Sequence, residues 1–287
     1  MKVGISTASL FLRRNNEDAL PLFSEWGVPC AEVFLTSFCE YAPSFAELLA
    51  ARRGNTAVHS VHVLNTQYEP QLYAEHPRVV SDAYGWLRSV LRSAQILGAK
   101  HYTFHGIARL KRTFRENFPR FAAETKKIFD LCAEYGVRLC YENVEWALCN
   151  RPGVFRELKR ECPDLGGVLD IKQARISGYD WREYLAEMGE NLATVHVSDV
   201  TAEGKMCLPG RGVFDFGELF ARRGVFGRGA HRELRARLFR RGGAEGVLRV
   251  SCRKDRKLLR GKSRKTRRKK LTSFSAFAII FGQSGCK

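Results

Sequence analysis

The segment Leu139-Cys140-Tyr141-Glu142 is a short apolar run that ends in a residue able to hold a metal ion. The same design recurs four more times, and stretches long enough for a helix separate the copies. This repeat predicts a parallel sheet, because a parallel crossover needs a dozen or more residues. In a parallel barrel all strands deliver their carboxyl ends to one rim, so these terminal side chains should meet there. The other runs are 57–62 with His59 and His62, 101–105 with His101 and His105, 167–170 ending in Asp170, and 194–196 ending in His196.

The segments between the runs complete the repeat. The clearest is 76–97, where apolar residues recur at helical spacing and Gly98 follows as a C-terminal cap. Strands are also predicted at 3–7 and 31–35, and the pattern gives seven strand–helix units by Phe220. The other predicted helices cover 16–26, a segment from about 43, 113–135, 152–161, 181–188 and a segment from 215.

The eighth strand of a closed barrel is not recognisable where it should lie. Residues 228–236 read Arg-Gly-Ala-His-Arg-Glu-Leu-Arg-Ala, which makes a poor buried strand. Residues 222–287 hold 22 of the 48 Lys and Arg residues but only 3 of the 30 Asp and Glu residues, so residues 1–221 are nearly neutral. We therefore expect a barrel over 1–221 and a basic, low-complexity tail over 222–287 that cannot bury enough apolar area to order itself.

Two explanations of the tail stay open. A shifted reading frame in a GC-rich gene gives an abrupt Arg-rich run, and residues 231–238 read from the second nucleotide permit a strand that contains a glutamate. The alternative is a genuine basic arm for nucleic acid or an anionic membrane. The frame shift is favoured, because the rest of the chain has no matching basic face.

The remaining composition indicates a cytoplasmic protein. Nine scattered cysteines without paired spacing suggest reduced thiols. The N-terminus lacks the features of a signal peptide, and the longest late apolar stretch, 274–281, is too short to span a bilayer. A homo-oligomer stays open, since the sequence does not name the oligomeric state.

Six short motifs then carry a resemblance. Residues 1–221 resemble the xylose isomerase-like TIM barrel superfamily of sugar isomerases, epimerases and apurinic endonucleases, which implies a (β/α)8 barrel, here with strand eight missing or corrupted. Each motif is weak alone, but all six occur in order at predicted strand ends. They are VHSVH at 58–62, YTFHG at 102–106, YENV at 141–144, LDIKQA at 169–174, HVSD at 196–199 and LPGRG at 208–212.

The resemblance implies roles for particular residues. Glu142, Asp170 and His196 would bind one divalent metal, Mn, Mg, Co or Zn, together with a strand-eight glutamate for which Glu233 is the only nearby candidate. Glu142 would also act as a catalytic acid or base.

Further residues of the rim are assigned to the substrate. His62 and His105 would contact it, or bind additional metals as in the endonucleases, or be ordinary hydrogen-bonded histidines. Glu32 would contact substrate or form a surface ion pair, and Lys172 would meet an anionic group or be solvated. Asp199 would orient His196 or cap the next turn. His59 and His101 are interpreted as structural, and strand alternation is expected to turn His59 away from His62.

The expected function is metal-dependent isomerisation or epimerisation of a sugar, sugar phosphate or related polyol by proton transfer beside a carbonyl. An endonuclease acting at abasic sites is the alternative, but Gln173 stands where that branch has a zinc-binding histidine. A third possibility is an inactive barrel whose basic tail binds nucleic acid. A barrel without strand eight would leave the edges of strands one and seven open. Without the strand-eight glutamate as well, this particular chain is expected to be poorly stable and nearly inactive.

Overall fold

A computed structural model describes residues 2–64, 67–109, 117–222 and 278–281. Seven strands run parallel, each paired with the next along the chain, and curl into a barrel wall with helices outside. The strands are β1 Lys2–Ser6, β2 Cys30–Leu35, β3 Ala57–Val63, β4 His101–Phe104, β5 Arg138–Glu142, β6 Gly166–Asp170 and β7 Leu192–Val197. The first half of the barrel carries the helices α1 Asn16–Glu25, α2 Pro43–Arg52 and α3 Pro77–Leu97. The second half carries α4 Phe118–Glu134, α5 Val154–Glu161, α6 Ile171–Ser177, α7 Trp181–Met188 and α8 Phe216–Arg222.

Helix α3 shows how the predicted periodicity becomes packing. Leu87, Val90 and Leu91 of its apolar stripe are fully buried, and the helix packs against α2, β3 and β4. Gly98 ends the helix with φ of 75°, a left-handed conformation that suits glycine. No helix in the described part of the chain is long and apolar enough to cross a membrane.

The gap between β1 and β7 confirms one expectation and corrects another. A parallel eighth strand is missing from the described residues, as predicted. The two edges are nevertheless paired, because β10, Ala278–Phe281, runs antiparallel to both β1 and β7 and closes the ring. The prediction of open edges is therefore wrong over these four residues. Glu233 and the remaining predictions for 223–277 lie outside the described residues.

Strand β3 contains an irregularity that the alternation rule misses. Ala31 of β2 pairs with Val58, but the next residue, Glu32, pairs with Ser60, so His59 is an extra residue. Such a bulge lets two successive side chains face the same side of a sheet. His59 consequently lies inside the barrel, 3.2 Å from Thr194 Oγ1 on β7. The prediction that it faces away from His62 is therefore wrong.

The loop after β7 forms a small hairpin, β8 Asp199–Val200 with β9 Met206–Cys207. The sequence patterns predicted neither this hairpin nor helix α6. Helix α4 begins at Phe118, inside the predicted span of 113–135.

Candidate metal centre and active site

Three buried side chains converge at the carboxyl end of the barrel. Glu142, Asp170 and His196 are each the inward-facing residue at or near the end of β5, β6 and β7. They are 3%, 3% and 5% exposed, respectively. Their potential ligand atoms all lie within 4.8 Å of one another, and His196 Nδ1 lies 2.8 Å from Glu142 Oε1 and 3.8 Å from Asp170 Oδ2. Two carboxylates and an imidazole nitrogen in this arrangement fit a divalent cation.

The pKa values of these three side chains are shifted in different directions by burial and by their neighbours. Burial would raise the pKa of Glu142, but His196, His105 and His62 outweigh it and hold that pKa well below its ordinary value. Burial and the neighbouring Glu142 raise the pKa of Asp170 to about 6. Burial alone would lower the pKa of His196, but Glu32 and Glu142 hold it well above the ordinary value. The charged form of the His196 imidazole is therefore favoured by the carboxylates beside it.

Asp170 is fixed by both of its neighbouring elements. Its Oδ1 accepts a hydrogen bond of 2.8 Å from the backbone N–H of Gln173, which caps the first turn of α6. Asn143 bridges β5 and β6, since its Oδ1 accepts from the Asp170 N–H and its Nδ2 donates to the Asp170 carbonyl. The spacing between Glu142 and Asp170 is therefore set by short backbone links.

A second pair of imidazoles faces the same cavity. His62 Nε2 on β3 lies 2.9 Å from His105 Nε2, which follows β4. The two nitrogens are 3.6 and 3.4 Å from Glu142 Oε2, so these three side chains form a second group that could hold a cation. Phe34 and Trp146 pack against the rings, with centroids 5.1 Å from His62 and 5.1 Å from His105, respectively.

Glu32 lies inside the barrel at 1% exposure, which excludes the surface ion pair considered for it. Its two oxygens accept hydrogen bonds from hydroxyls on three strands: Ser6 on β1 at 3.2 Å, Ser60 on β3 at 2.8 Å and Thr103 on β4 at 2.9 Å. His62 Nδ1 approaches one oxygen at 3.2 Å, and His196 Nε2 lies 3.4 Å from both. Burial would raise the pKa of Glu32, but His196 and His62 hold it well below its ordinary value.

Glu69 is a polar residue of the site that sequence reasoning missed. It is fully buried in a short 3-10 helix, Glu69–Tyr73, and its Oε2 lies 3.0 Å from His105 Nδ1 and accepts from the His105 N–H at 2.9 Å. Tyr102 donates to its other oxygen at 2.6 Å. Burial alone would lower the pKa of His105, but Glu69 and Glu142 raise it to about 10. No strand-end pattern marks Glu69, because it lies in the connection between β3 and α3.

Asp199 binds the backbone of the loop that follows β7. Its carboxylate accepts four backbone hydrogen bonds, from Val200, Gly210, Gly212 and Phe214. The ring nitrogens of His196 contact Glu142 and Glu32, so of the two roles left open for Asp199 these contacts favour turn capping. Gln173 accepts a hydrogen bond from the Glu145 N–H and supports the loop after β5.

The convergent side chains line a cavity of about 270 Å³. The predicted substrate residues His62, His105, Lys172 and Glu32 all line it, together with the three potential metal ligands. Apolar walls complete the cavity, formed by Phe11, Phe34, Leu64, Val144 and Trp146. Convergent polar groups together with aromatic side chains suit a small polyhydroxylated molecule.

Comparisons with known proteins agree with this architecture. Residues 20–222 match the family model described as Xylose isomerase-like TIM barrel. No curated protein matches the chain by sequence.

Among similar solved structures is the D-psicose 3-epimerase of Clostridium cellulolyticum H10 with D-tagatose, at 16% identity and a TM-score of 0.63, covering 79% of this chain and 83% of that one. The IOLI protein, solved with a binding zinc atom, shares 14% identity at a TM-score of 0.64, with 79% and 86% covered. The probable 3-DHS dehydratase AsbF of Bacillus anthracis shares 14% identity at 0.61, with 77% and 88% covered. At these identities the likeness shows the fold.

Proposed function

This chain is a member of the xylose isomerase-like TIM barrel family, and from that premise we propose that it is a metal-dependent isomerase or epimerase. Its substrate would be a sugar, sugar phosphate or related polyol, and the reaction would move a proton beside a carbonyl. The observation that carries the proposal is the convergence of Glu142, Asp170 and His196 in the lining of the cavity. The sugar epimerases among the similar structures support this class of reaction.

Glu142, Asp170 and His196 would hold one divalent cation, Mn, Mg, Co or Zn. When bound, such an ion polarises a carbonyl and lowers the pKa of a coordinated hydroxyl. The three side chains fit this role because they are buried, converge within 4.8 Å and together offer oxygen and nitrogen donors.

Glu142 is also assigned the proton transfer. Its Oε1 lies against His196 and its Oε2 against the His62–His105 pair, so the carboxylate spans the metal group and the substrate side of the cavity. His62 and His105 would hydrogen-bond the sugar, and Lys172 would meet a phosphate or carboxylate on it. Aromatic walls would exclude water from the carbanion-like species formed when the proton leaves.

An abasic-site endonuclease is the second candidate, and one observation favours it. The group of His62, His105 and Glu142 could hold an additional cation, so the site has room for more than one metal. Gln173 counts against the nuclease, because it stands where that branch has a zinc-binding histidine. Its amide oxygen instead accepts a hydrogen bond from the Glu145 N–H. Metal content separates the two functions: one ion per chain supports the sugar enzyme, and three zincs support the nuclease.

The proposed reaction is tested by hydrogen exchange into a panel of ketoses and aldoses in D2O with an excess of Mg²⁺, followed by NMR. We expect exchange at the carbon beside the carbonyl for at least one sugar, and at least a 100-fold loss in Glu142→Gln, since general acid–base catalysis contributes about 10²–10⁴-fold. Glu187→Gln is the control, because Glu187 lies away from the cavity beside Arg156. Equal exchange in Glu142→Gln and the unaltered chain would contradict the proposal. So would absence of exchange with every sugar even in a version with strand eight restored in frame.

A further inference from the structure

The carboxylate of Glu32 has no capacity left for a metal ion or a substrate. It meets five donors: three hydroxyls, from Ser6, Ser60 and Thr103, and two imidazole nitrogens. A carboxylate offers about four lone-pair sites, so these contacts saturate it. Although Glu32, His62 and His196 lie close enough to hold a cation, this group is already filled by hydrogen bonds.

The two imidazoles that reach Glu32 do so through different ring nitrogens. His196 presents Nε2, which leaves Nδ1 facing Glu142 and Asp170. His62 presents Nδ1, which leaves Nε2 facing His105 and Glu142 in the cavity. A nitrogen that donates to a carboxylate carries its proton, and in a neutral ring the other nitrogen is then a free acceptor or ligand.

We propose that Glu32 is a positioning residue that fixes the ring orientation and tautomer of both His196 and His62. It presents Nδ1 of the first to the metal centre and Nε2 of the second to the substrate. The three hydroxyls hold the Glu32 carboxylate in place from β1, β3 and β4, so neither imidazole can turn without breaking this buried network. Glu32 thereby acts through other residues, and the direct substrate contact predicted for it is replaced. This inference rests on the metal role of His196 in the proposed function.

The first measurement is metal affinity, by titration of Mn²⁺ or Zn²⁺ into the full-length chain. A carboxylate behind a metal-bound histidine typically contributes about 10–100-fold in affinity, so Glu32→Gln should weaken binding by that factor. Gln keeps the size of Glu32 but turns an amide N–H toward some of the donors. Glu32→Asp keeps the charge and should bind metal with intermediate affinity. Glu187→Gln removes a different partly buried carboxylate and should bind as the unaltered chain does.

The second measurement reads the tautomer directly. In the Zn²⁺-loaded chain with ¹⁵N-labelled histidine, His196 should show a protonated Nε2 and an unprotonated Nδ1, and His62 should show a protonated Nδ1. In Glu32→Gln the Nε2 proton of His196 should exchange faster with solvent. A merely structural role would lower the melting temperature without changing affinity or tautomer. If Glu32→Gln fails to fold, metal affinity and tautomer are both measured on Glu32→Asp instead.

The outcomes separate this inference from the proposed function. If the unaltered chain binds metal and Glu32→Gln binds equally well with unchanged His196 signals, the positioning role is overturned while the proposed function stands. If the unaltered chain binds no metal at all, both fail.

Discussion

At the scale of single residues, His105 links the site to the pH dependence of stability. Glu69 and Glu142 raise its pKa from 6.5 to about 10 in the folded, metal-free protein. A raised histidine pKa stabilises the fold fully below about pH 6.5, and this stabilisation is lost as the pH rises toward 10. We expect the free energy of unfolding of the metal-free chain to fall across this window, and to fall less in Glu69→Gln, as measured by urea denaturation at several pH values. Parallel pH profiles for the two proteins would contradict this assignment.

Single residues also differ in how well the sequence predicts their place in the site. Glu142, Asp170 and His196 were predicted because each ends an apolar strand, and an ionisable residue there needs a partner. The structure brings the three together, while their catalytic and ligand roles stay predictions. Glu69 was missed because it lies in the connection between β3 and α3, away from any strand end. The two alternatives for Asp199 stayed open because its partners are backbone N–H groups of residues up to Phe214. The identity of a side chain does not predict which residues of a connecting segment will contact it.

At the scale of elements, Asp170 ends β6 and caps α6. Its proposed metal binding and its capping of the helix can be separated. Asp170→Asn keeps a side-chain oxygen for the Gln173 N–H, whereas Asp170→Ala removes it. Both variants should lose metal binding, but only Asp170→Ala should lose the cap, which typically contributes about 1 kcal/mol. The measurement is urea unfolding in EDTA at pH 8.

Asp170→Asn should also be more stable than the unaltered metal-free chain at pH 8. Burial and Glu142 raise the Asp170 pKa to about 6, so at pH 8 its charge destabilises the folded state relative to the unfolded one, and the amide removes that charge. Equal free energies of unfolding for Asp170→Asn and Asp170→Ala would show that the α6 cap contributes nothing to stability.

Element prediction succeeded where periodicity was regular and failed where the backbone departs from it. Helix α7 was predicted at its observed bounds, and α1 and α3 within one residue. Helix α6 was missed because it begins directly after Asp170, without the loop that usually separates strand from helix. The facing of His59 was wrong because a bulge adds one residue to β3, and strand alternation assumes none.

At the scale of the whole molecule, the barrel wall is completed in an unusual way. Seven parallel strands are followed by a four-residue antiparallel strand between β1 and β7, and the described residues contain no acidic side chain from an eighth parallel strand. Antiparallel pairing satisfies the edge N–H and C=O groups but supplies no fourth metal ligand. We therefore expect the chain to bind metal weakly and to turn over poorly.

A version with strand eight restored in frame should gain both stability and metal affinity. The measurement is thermal melting of the two proteins side by side, with and without Mn²⁺. The restored version should melt higher and show the larger metal-induced shift. If the present chain melts cooperatively with an equal shift, a residue outside the described part, such as Glu233, must complete the site.

The hydrogen bond between His59 and Thr194 also has a bearing on how such a barrel could have been assembled. It joins a residue of β3 to a residue of β7, positions separated by 135 in sequence and placed on opposite walls. Each lies beside a register irregularity, at Val58–Ser60 in β3 and at Leu192–Thr194 in β7. If barrels arose by joining two half-barrel ancestors, this contact spans the ancestral seam. Separately expressed halves, cut in the α4–β5 connection, would form it only after reassociating, so the His59 imidazole offers a spectroscopic reporter of fragment complementation.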